Sequence, residues 1–196
     1  MTGKGRPKTF EDKAAIKKAQ ELFWEKGYEA TSLNDLIEEM EISRQSMYNT
    51  FGNKHDLFIL CFESYVEESY QHLQELFLSD KTANQKYHEF TDMVKKAYCE
   101  SKKGCFISAT IQELAVKDKK VQDILDKKYQ RNYELLFNYF SEGIEKGEIC
   151  SELAAKELTD LFDSLLLSVT SLCKLSNRDD QIKSIFSVFE KQISFC

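Results

Sequence analysis

Ser32-Leu33-Asn34-Asp35-Leu36-Ile37-Glu38-Glu39-Met40, Glu41-Ile42-Ser43 and Arg44-Gln45-Ser46-Met47-Tyr48-Asn49-Thr50 make up the stretch whose reading decides the fold. Ser32 followed three residues later by Asp35 has the pattern of a capping box. It opens a short amphipathic helix to Met40 with Leu33, Leu36, Ile37 and Met40 facing inward. After a three-residue turn, Ser43 caps a third short helix over Arg44–Thr50, and two short helices joined by a tight turn form a helix-turn-helix. Met47 and Phe51, four apart, anchor the third helix, with Ile42 as a further anchor in the turn. That leaves Arg44, Gln45, Tyr48 and Asn49 on its other side, a hydrogen-bonding set with no carboxylate. Such a face suits the major groove, where Arg pairs with guanine and Gln or Asn with adenine. Taken alone, it also suits a solvated helix face, so the flanking segments carry weight.

Upstream, the spacing predicts a helix over Phe10–Lys26 with Ala15, Ala19, Leu22 and Phe23 on one face, and Gly27 stands where a left-handed closing residue belongs. Downstream, Asn53 caps a fourth helix with Asp56 at its third position. The N-terminus of that helix, together with Lys54, is suited to hold a phosphate.

The rest of the composition agrees with a helical protein. Pro7 is the single proline of the 196 residues, and after Gly5 only Gly27, Gly52, Gly104, Gly143 and Gly147 remain, too little turn punctuation for sheets. The chain is 42% hydrophobic and 31% charged, with a mean hydropathy of -0.48, which fits a soluble globular protein. The longest stretch free of Asp, Glu, Lys and Arg is Ser164–Cys173, ten residues, against the ~18 needed to cross a bilayer. The basic start has no apolar run behind it, so no secretory signal or membrane partner is expected, and the expected location is the cytoplasm. Residues 1–18 carry a net charge of +4 and the remainder -10. A basic arm on an acidic body calls for an anionic partner at the N-terminus rather than a polyanion wrapped around the protein. Cys61, Cys99, Cys105, Cys150, Cys173 and Cys196 form no CxxC pair, and His55, His72 and His88 have no ligand spacing. Free thiols, no metal and no cofactor are therefore expected.

Gly27-Tyr28, Thr31-Ser32-Leu33, Ile42-Ser43-Arg44, Ser46-Met47-Tyr48, Phe51-Gly52, Lys54 and Leu57-Phe58 together closely resemble the DNA-binding domain of the TetR/AcrR family of bacterial transcriptional regulators, over about residues 5 to 60. The resemblance implies base contacts from Arg44, Gln45 and Asn49, with Asn34 beside them, and phosphate contacts from Ser32, Ser46, Tyr48 and Lys54. Arg6 and Lys8 of the arm would reach the backbone or minor groove. Glu41 departs from the family, whose turn usually has glycine there. A non-glycine residue in a left-handed conformation costs ~1 kcal/mol, and a carboxylate near DNA disfavours binding unless it points away from the phosphates.

The expected organisation is a basic arm over 1–9, a helix-turn-helix domain over 10–54 and a helical effector-binding and dimerisation domain over 55–196, about nine helices in all. Later helices are placed at about 55–78, 84–101, 105–117, 119–146, 153–176 and 179–195. In the last two, Leu158, Leu161, Phe162, Leu165, Val169 and Leu172, and then Ile182, Ile185, Phe186 and Phe189, recur at helical spacing. An ordinary monomer core explains such stripes. The family resemblance instead implies a four-helix homodimer interface that sets two recognition helices ~34–36 Å apart on a palindromic double-stranded operator. Phe62, Tyr65, Phe90, Met93, Val94, Tyr98, Phe106, Thr110, Tyr129, Tyr133 and Phe137 offer an aromatic lining with a few hydroxyls for a flat or apolar small-molecule effector, or plain core. His72 and His88 are ligand contacts or surface residues.

Lys102-Lys103-Gly104-Cys105-Phe106, followed by Gln112-Glu113-Leu114-Ala115 and Asp118, resembles a Gly-Cys branch of the family that includes the N-ethylmaleimide-responsive repressor. A thiol at a helix N-terminus beside two lysines is biased toward thiolate. Cys105 is thus a candidate electrophile or oxidant sensor, or a small packed residue. The leading reading is a ligand-responsive homodimeric repressor. The alternatives are a thiol-sensing repressor acting through Cys105 and a helical interaction module without DNA binding. An enzyme is not expected, since no metal-spacing cluster, phosphate-cradling loop or nucleophile–base pair is present.

Overall fold

The structure is a computed structural model that describes residues 10–96, 104–173, 175 and 178–195. Among these residues the chain forms α1 (Phe10–Lys26), α2 (Leu33–Met40), α3 (Arg44–Thr50), α4 (Lys54–Phe77), α5 (Ala83–Val94), α6 (Phe106–Leu114), α7 (Lys119–Glu145), α8 (Ala155–Leu172) and α9 (Asp179–Glu190), with two short strands, β1 (Ile149–Cys150) and β2 (Ser194–Phe195). The all-α expectation holds, and the first three helices have the bounds expected from apolar spacing and from the caps at Ser32 and Ser43.

The chain end differs from its expected helix. α9 stops at Glu190, and β2 pairs antiparallel with β1, Ile149 opposite Phe195 and Cys150 opposite Ser194. Ile193 still reaches the core, so an apolar residue four beyond Phe189 kept the helical spacing without continuing the helix. Toward the middle, α6 stops at Leu114 rather than 117. Asp118 then starts α7 by accepting hydrogen bonds from the Lys120 and Val121 amides at 2.9 and 3.2 Å.

Two compact units emerge. One comprises the residues up to Glu68 together with Ala109–Ile124, and the other Ser69–Ser108 with Leu125 onward. Helices α4, α6 and α7 contribute to both.

In the first unit, Ala19 and Phe23 of α1, Leu36 of α2, Met47 of α3 and Leu57, Phe58 and Phe62 of α4 are fully buried or nearly so. Phe58 meets Phe23 edge-on at 5.1 Å and Tyr28 at 4.9 Å, contacts that add roughly 0.5–1.5 kcal/mol each beyond the burial itself. The second unit is built around Phe162 of α8, whose ring lies 4.8 Å from Phe189, 5.6 Å from Phe90, 5.8 Å from Phe140 and 5.9 Å from Tyr87. Within this core the Tyr139 hydroxyl donates to the Ala83 carbonyl at 2.8 Å and the Ser108 and Thr170 hydroxyls pair at 2.9 Å. Burial pushes the hydroxyls of Tyr87 and Tyr139 far above the usual tyrosine range.

The uniform expectation of free thiols is corrected. Cys61 and Cys105 are free, whereas Cys150 and Cys173 are disulfide-bonded. Sequence spacing carries no information about which thiols folding brings together. Cys61 is fully buried and donates to the Ile16 carbonyl at 3.5 Å. Burial pushes its thiol well above the usual range, which makes it unreactive. No helix among the described residues is long and apolar enough to cross a membrane.

Candidate nucleic-acid interface

The interface begins with the caps that hold two short helices. The Ser32 hydroxyl accepts from the Asp35 amide at 3.1 Å and the Asp35 carboxylate accepts from the Ser32 amide at 2.9 Å, closing the box at the start of α2. The Ser32 amide, followed by its hydroxyl, holds the Asp35 carboxyl below the usual carboxylate range. At the other end of α2, Glu41 adopts φ 56 and ψ 39, and its amide turns back to the carbonyls of Glu38 and Ile37. Its carboxylate forms an ion pair with Lys18 of α1, whose hydrogen bond and charge hold Glu41 ionised below its ordinary range. The acid in the turn thus has its own cation.

Ser43 caps α3 by accepting from the Ser46 amide at 3.0 Å. Met47 is fully buried and Phe51 is 3% exposed, so the opposite face of α3 presents Arg44, Gln45, Ser46, Tyr48 and Asn49 to solvent. The Arg44 guanidinium donates to the Asn34 side-chain oxygen, tying the start of α3 to the start of α2. Gly52 follows with φ 89. A Cβ there would lie 2.6 Å from an Asp56 carboxylate oxygen, so the sharp entry to α4 requires glycine. Asn53 and Asp56 then cap α4 reciprocally at 3.0 and 3.3 Å.

Lys54 is the first residue of α4. Its ammonium lies 4.4 Å from the centre of the Tyr28 ring and donates to the Glu29 carbonyl at 3.4 Å. An ammonium has three donors, so one bond to a carbonyl leaves two for a phosphate. Ser32, Asn34, Arg44, Gln45, Ser46, Tyr48, Asn49 and Lys54 all belong to the first unit, and all but the half-buried Lys54 are exposed. Arg6 and Lys8 lie outside the described residues.

Residues 15–61 of this chain match the bacterial regulatory proteins of the tetR family, and residues 86–189 match the tetracyclin repressor-like C-terminal domain. The chain belongs to the TetR family. Its relatives include the HTH-type transcriptional repressor ComR of Escherichia coli, 26% identical over 166 residues that cover 83% of this chain and 79% of ComR. Among solved structures, reduced E. coli NemR superposes with a TM-score of 0.86 at 15% identity, covering 96% of this chain and 99% of NemR. A cysteine mutant of the TetR-family regulator CifR, complexed with 26 bp double-strand operator DNA, superposes with a TM-score of 0.74 at 23% identity, covering 96% and 97%. This TetR-family protein is a DNA-binding transcriptional regulator.

The candidate effector residues of this TetR-family member fall in both units. Phe62, Tyr65 and Thr110 fall in the first unit, whereas Phe90, Met93, Val94, Phe106, Tyr129, Tyr133 and Phe137 fall in the second; Tyr98 lies outside the described residues. Phe90 packs on Phe162 in the aromatic core, Tyr133 donates to Asp160 at 3.0 Å, and Phe137 is 37% exposed. The stripe of α7 that holds Tyr133 and Phe137 turns partly outward. Exposed His72 and His88 join neither group.

The stripes of α8 and α9 also divide. Leu158, Phe162, Val169, Ile182, Phe186 and Phe189 are buried within the chain's own core. Leu172 is only partly buried against it. Leu161, at 42% exposure, joins Leu165, Ile185 and Val188 along an apolar groove of about 700 Å³, which Phe189 lines from beneath. Val188, absent from the sequence-based set, is 54% exposed. Its signal was the i, i+3 and i+4 offset from Ile185 and Ser184, masked by the stronger inner stripe.

Sequence reasoning also left Glu113, Asp118 and His55 without a role. The Glu113 carboxylate accepts from the Tyr28 and Glu29 amides at 2.9 and 2.7 Å. Asp118 pairs with His55 at the N-terminus of α4.

Proposed function

We propose that this regulator is a homodimeric repressor that reads a palindromic operator and is released by a small, partly aromatic or apolar effector. Residues 10–54 serve DNA binding, and 55–196 serve effector binding and pairing. The observation that carries this reading is the exposed, carboxylate-free face of α3, held outward by buried Met47 and Phe51. Arg44, Gln45 and Asn49 face bases, with Asn34 orienting Arg44, while Ser32, Ser46, Tyr48 and Lys54 take phosphates. ComR is a repressor and CifR binds operator DNA, which supports the same sign and target here.

The apolar groove between α8 and α9 supports pairing with a second copy. In the second unit, Asn132 is 9% exposed and its side-chain oxygen has no hydrogen-bond partner among the described residues. A donor on an effector would satisfy it.

The test is selection of duplexes from a randomised pool, followed by fluorescence anisotropy. A two-fold-symmetric consensus with strongly salt-dependent binding is the expected result. Arg44→Ala should relax preference at one position per half-site by about 1–3 kcal/mol. Recovery of no consensus would sink DNA recognition by α3.

A second reading is favoured by Cys105. This free, buried thiol directly precedes α6. Covalent capture of an electrophile there would replace reversible effector binding. N-ethylmaleimide should then release operator from the wild type but not from Cys105→Ser, whereas equal release from both assigns the response elsewhere.

A further inference from the structure

The Glu113 carboxylate sits on the turn that follows α1, and nothing in the DNA-reading face accounts for it. Gly27 there has φ +84, and the next two amides, Tyr28 and Glu29, both donate to Glu113. Successive N–H groups after a left-handed residue form an anion-binding concavity, here filled by a side chain 84 and 85 residues away in sequence. The approach is close: a Cβ on Gly27 would lie 3.2 Å from a Glu113 oxygen. Five residues on, Asp118 pairs with His55, and Lys120 lies 3.8 Å from Asp56. Within the first unit, the corner between α6 and α7 is therefore held at two places, the α1–α2 turn and the first turn of α4.

Lys54 lies where the two grips converge. It is the chain neighbour of His55, its ammonium stacks on the Tyr28 ring, and it donates to the Glu29 carbonyl. The Tyr28 ring also meets the His55 ring edge-on at 6.3 Å.

We propose that Glu113 is a positioning residue for operator binding: by fixing the Tyr28–Glu29 turn, it holds the Lys54 ammonium in place for a DNA phosphate. This rests on the reading of Lys54 as a phosphate contact. A carboxylate offers acceptors to both amides at once, whereas an amide side chain offers one acceptor and turns a donor toward the second N–H. Glu113→Gln therefore keeps the volume and breaks one of the two bonds.

The experiment is a double-mutant cycle of Glu113→Gln and Lys54→Ala on the full-length protein, with the selected duplex, anisotropy over a series of salt concentrations, and amide hydrogen exchange at Tyr28 and Glu29. Lys54→Ala should weaken binding roughly tenfold and make the salt slope shallower by about one. Glu113→Gln should speed exchange at the amide that loses its acceptor and reproduce part of that slope change, and the double variant should bind no worse than Lys54→Ala alone. A merely structural role for Glu113 predicts an unchanged slope and additive losses, and that result overturns the proposal. If Lys54→Ala itself leaves affinity and slope unchanged, the phosphate reading of Lys54 fails, a different outcome from failure of Glu113→Gln alone.

Discussion

Glu41 shows how a local strain and its relief are set side chain by side chain. Among the described residues it is the one non-glycine position with positive φ. The ion pair with Lys18 is solvent-exposed and therefore weak, so it offsets little of the backbone strain. Glu41→Gly should raise the melting temperature by a few degrees and leave operator affinity unchanged or slightly improved, as paired thermal melts and anisotropy titrations would show. Asp118 makes a prediction of the opposite kind. Burial works to raise its carboxyl, but the His55 hydrogen bond and the Val121 and Lys120 amides outweigh it, leaving the group below its ordinary 3.8. A carboxyl lowered by folding stabilises the native state fully above the unfolded pKa, and the contribution is lost as pH falls through the folded value. At pH 5 the wild type should therefore resist urea better than Asp118→Asn. The gap should close as pH drops below about 3.8, and a gap that persisted at pH 2 would contradict this account.

At the scale of elements, α3 is short enough that its cap matters. Seven residues are too few for a helix to persist by propensity alone, so α3 depends on Ser43 at one end and on Met47 and Phe51 beneath. Ser43→Ala should cost about 1 kcal/mol of stability and speed hydrogen exchange in the first turn of α3, with an accompanying loss of operator affinity. These elements were legible in sequence because caps and i, i+4 anchors are local. Ser32 with Asp35, Ser43, and Asn53 with Asp56 each announce a helix start within four residues of chain. α8 and α9 were legible as helices but not as interfaces, since Leu161 and Phe162 are neighbours on one stripe and end on opposite sides of it, one exposed and one in the core.

For the whole molecule, the question is what covers the groove of Leu161, Leu165, Ile185 and Val188. Pairing with a second copy predicts sedimentation at twice 22.8 kDa. The combined change Leu161→Glu and Val188→Asp should give monomers with an unchanged circular dichroism spectrum, because neither residue belongs to the inner core. Monomers of wild type at micromolar concentration would remove the homodimer from the functional reading. The candidate effector residues were the least legible part. Phe90 and Phe137 look alike at helical spacing, yet one packs on Phe162 and the other is 37% exposed.

The amino-acid sequence by itself determined the helical class, the three N-terminal helices with their caps, the left-handed turn at Glu41 and the polar face of α3. Each depends on residues within a few positions of one another, where backbone geometry leaves few choices. Only the tertiary structure decided which side of α8 and α9 is core, that Cys150 and Cys173 each take part in a disulfide while Cys61 and Cys105 are free, and that Glu113 closes on the amides of Tyr28 and Glu29. Those outcomes join residues far apart in the chain, and their pairing follows from how the helices pack rather than from any local spacing.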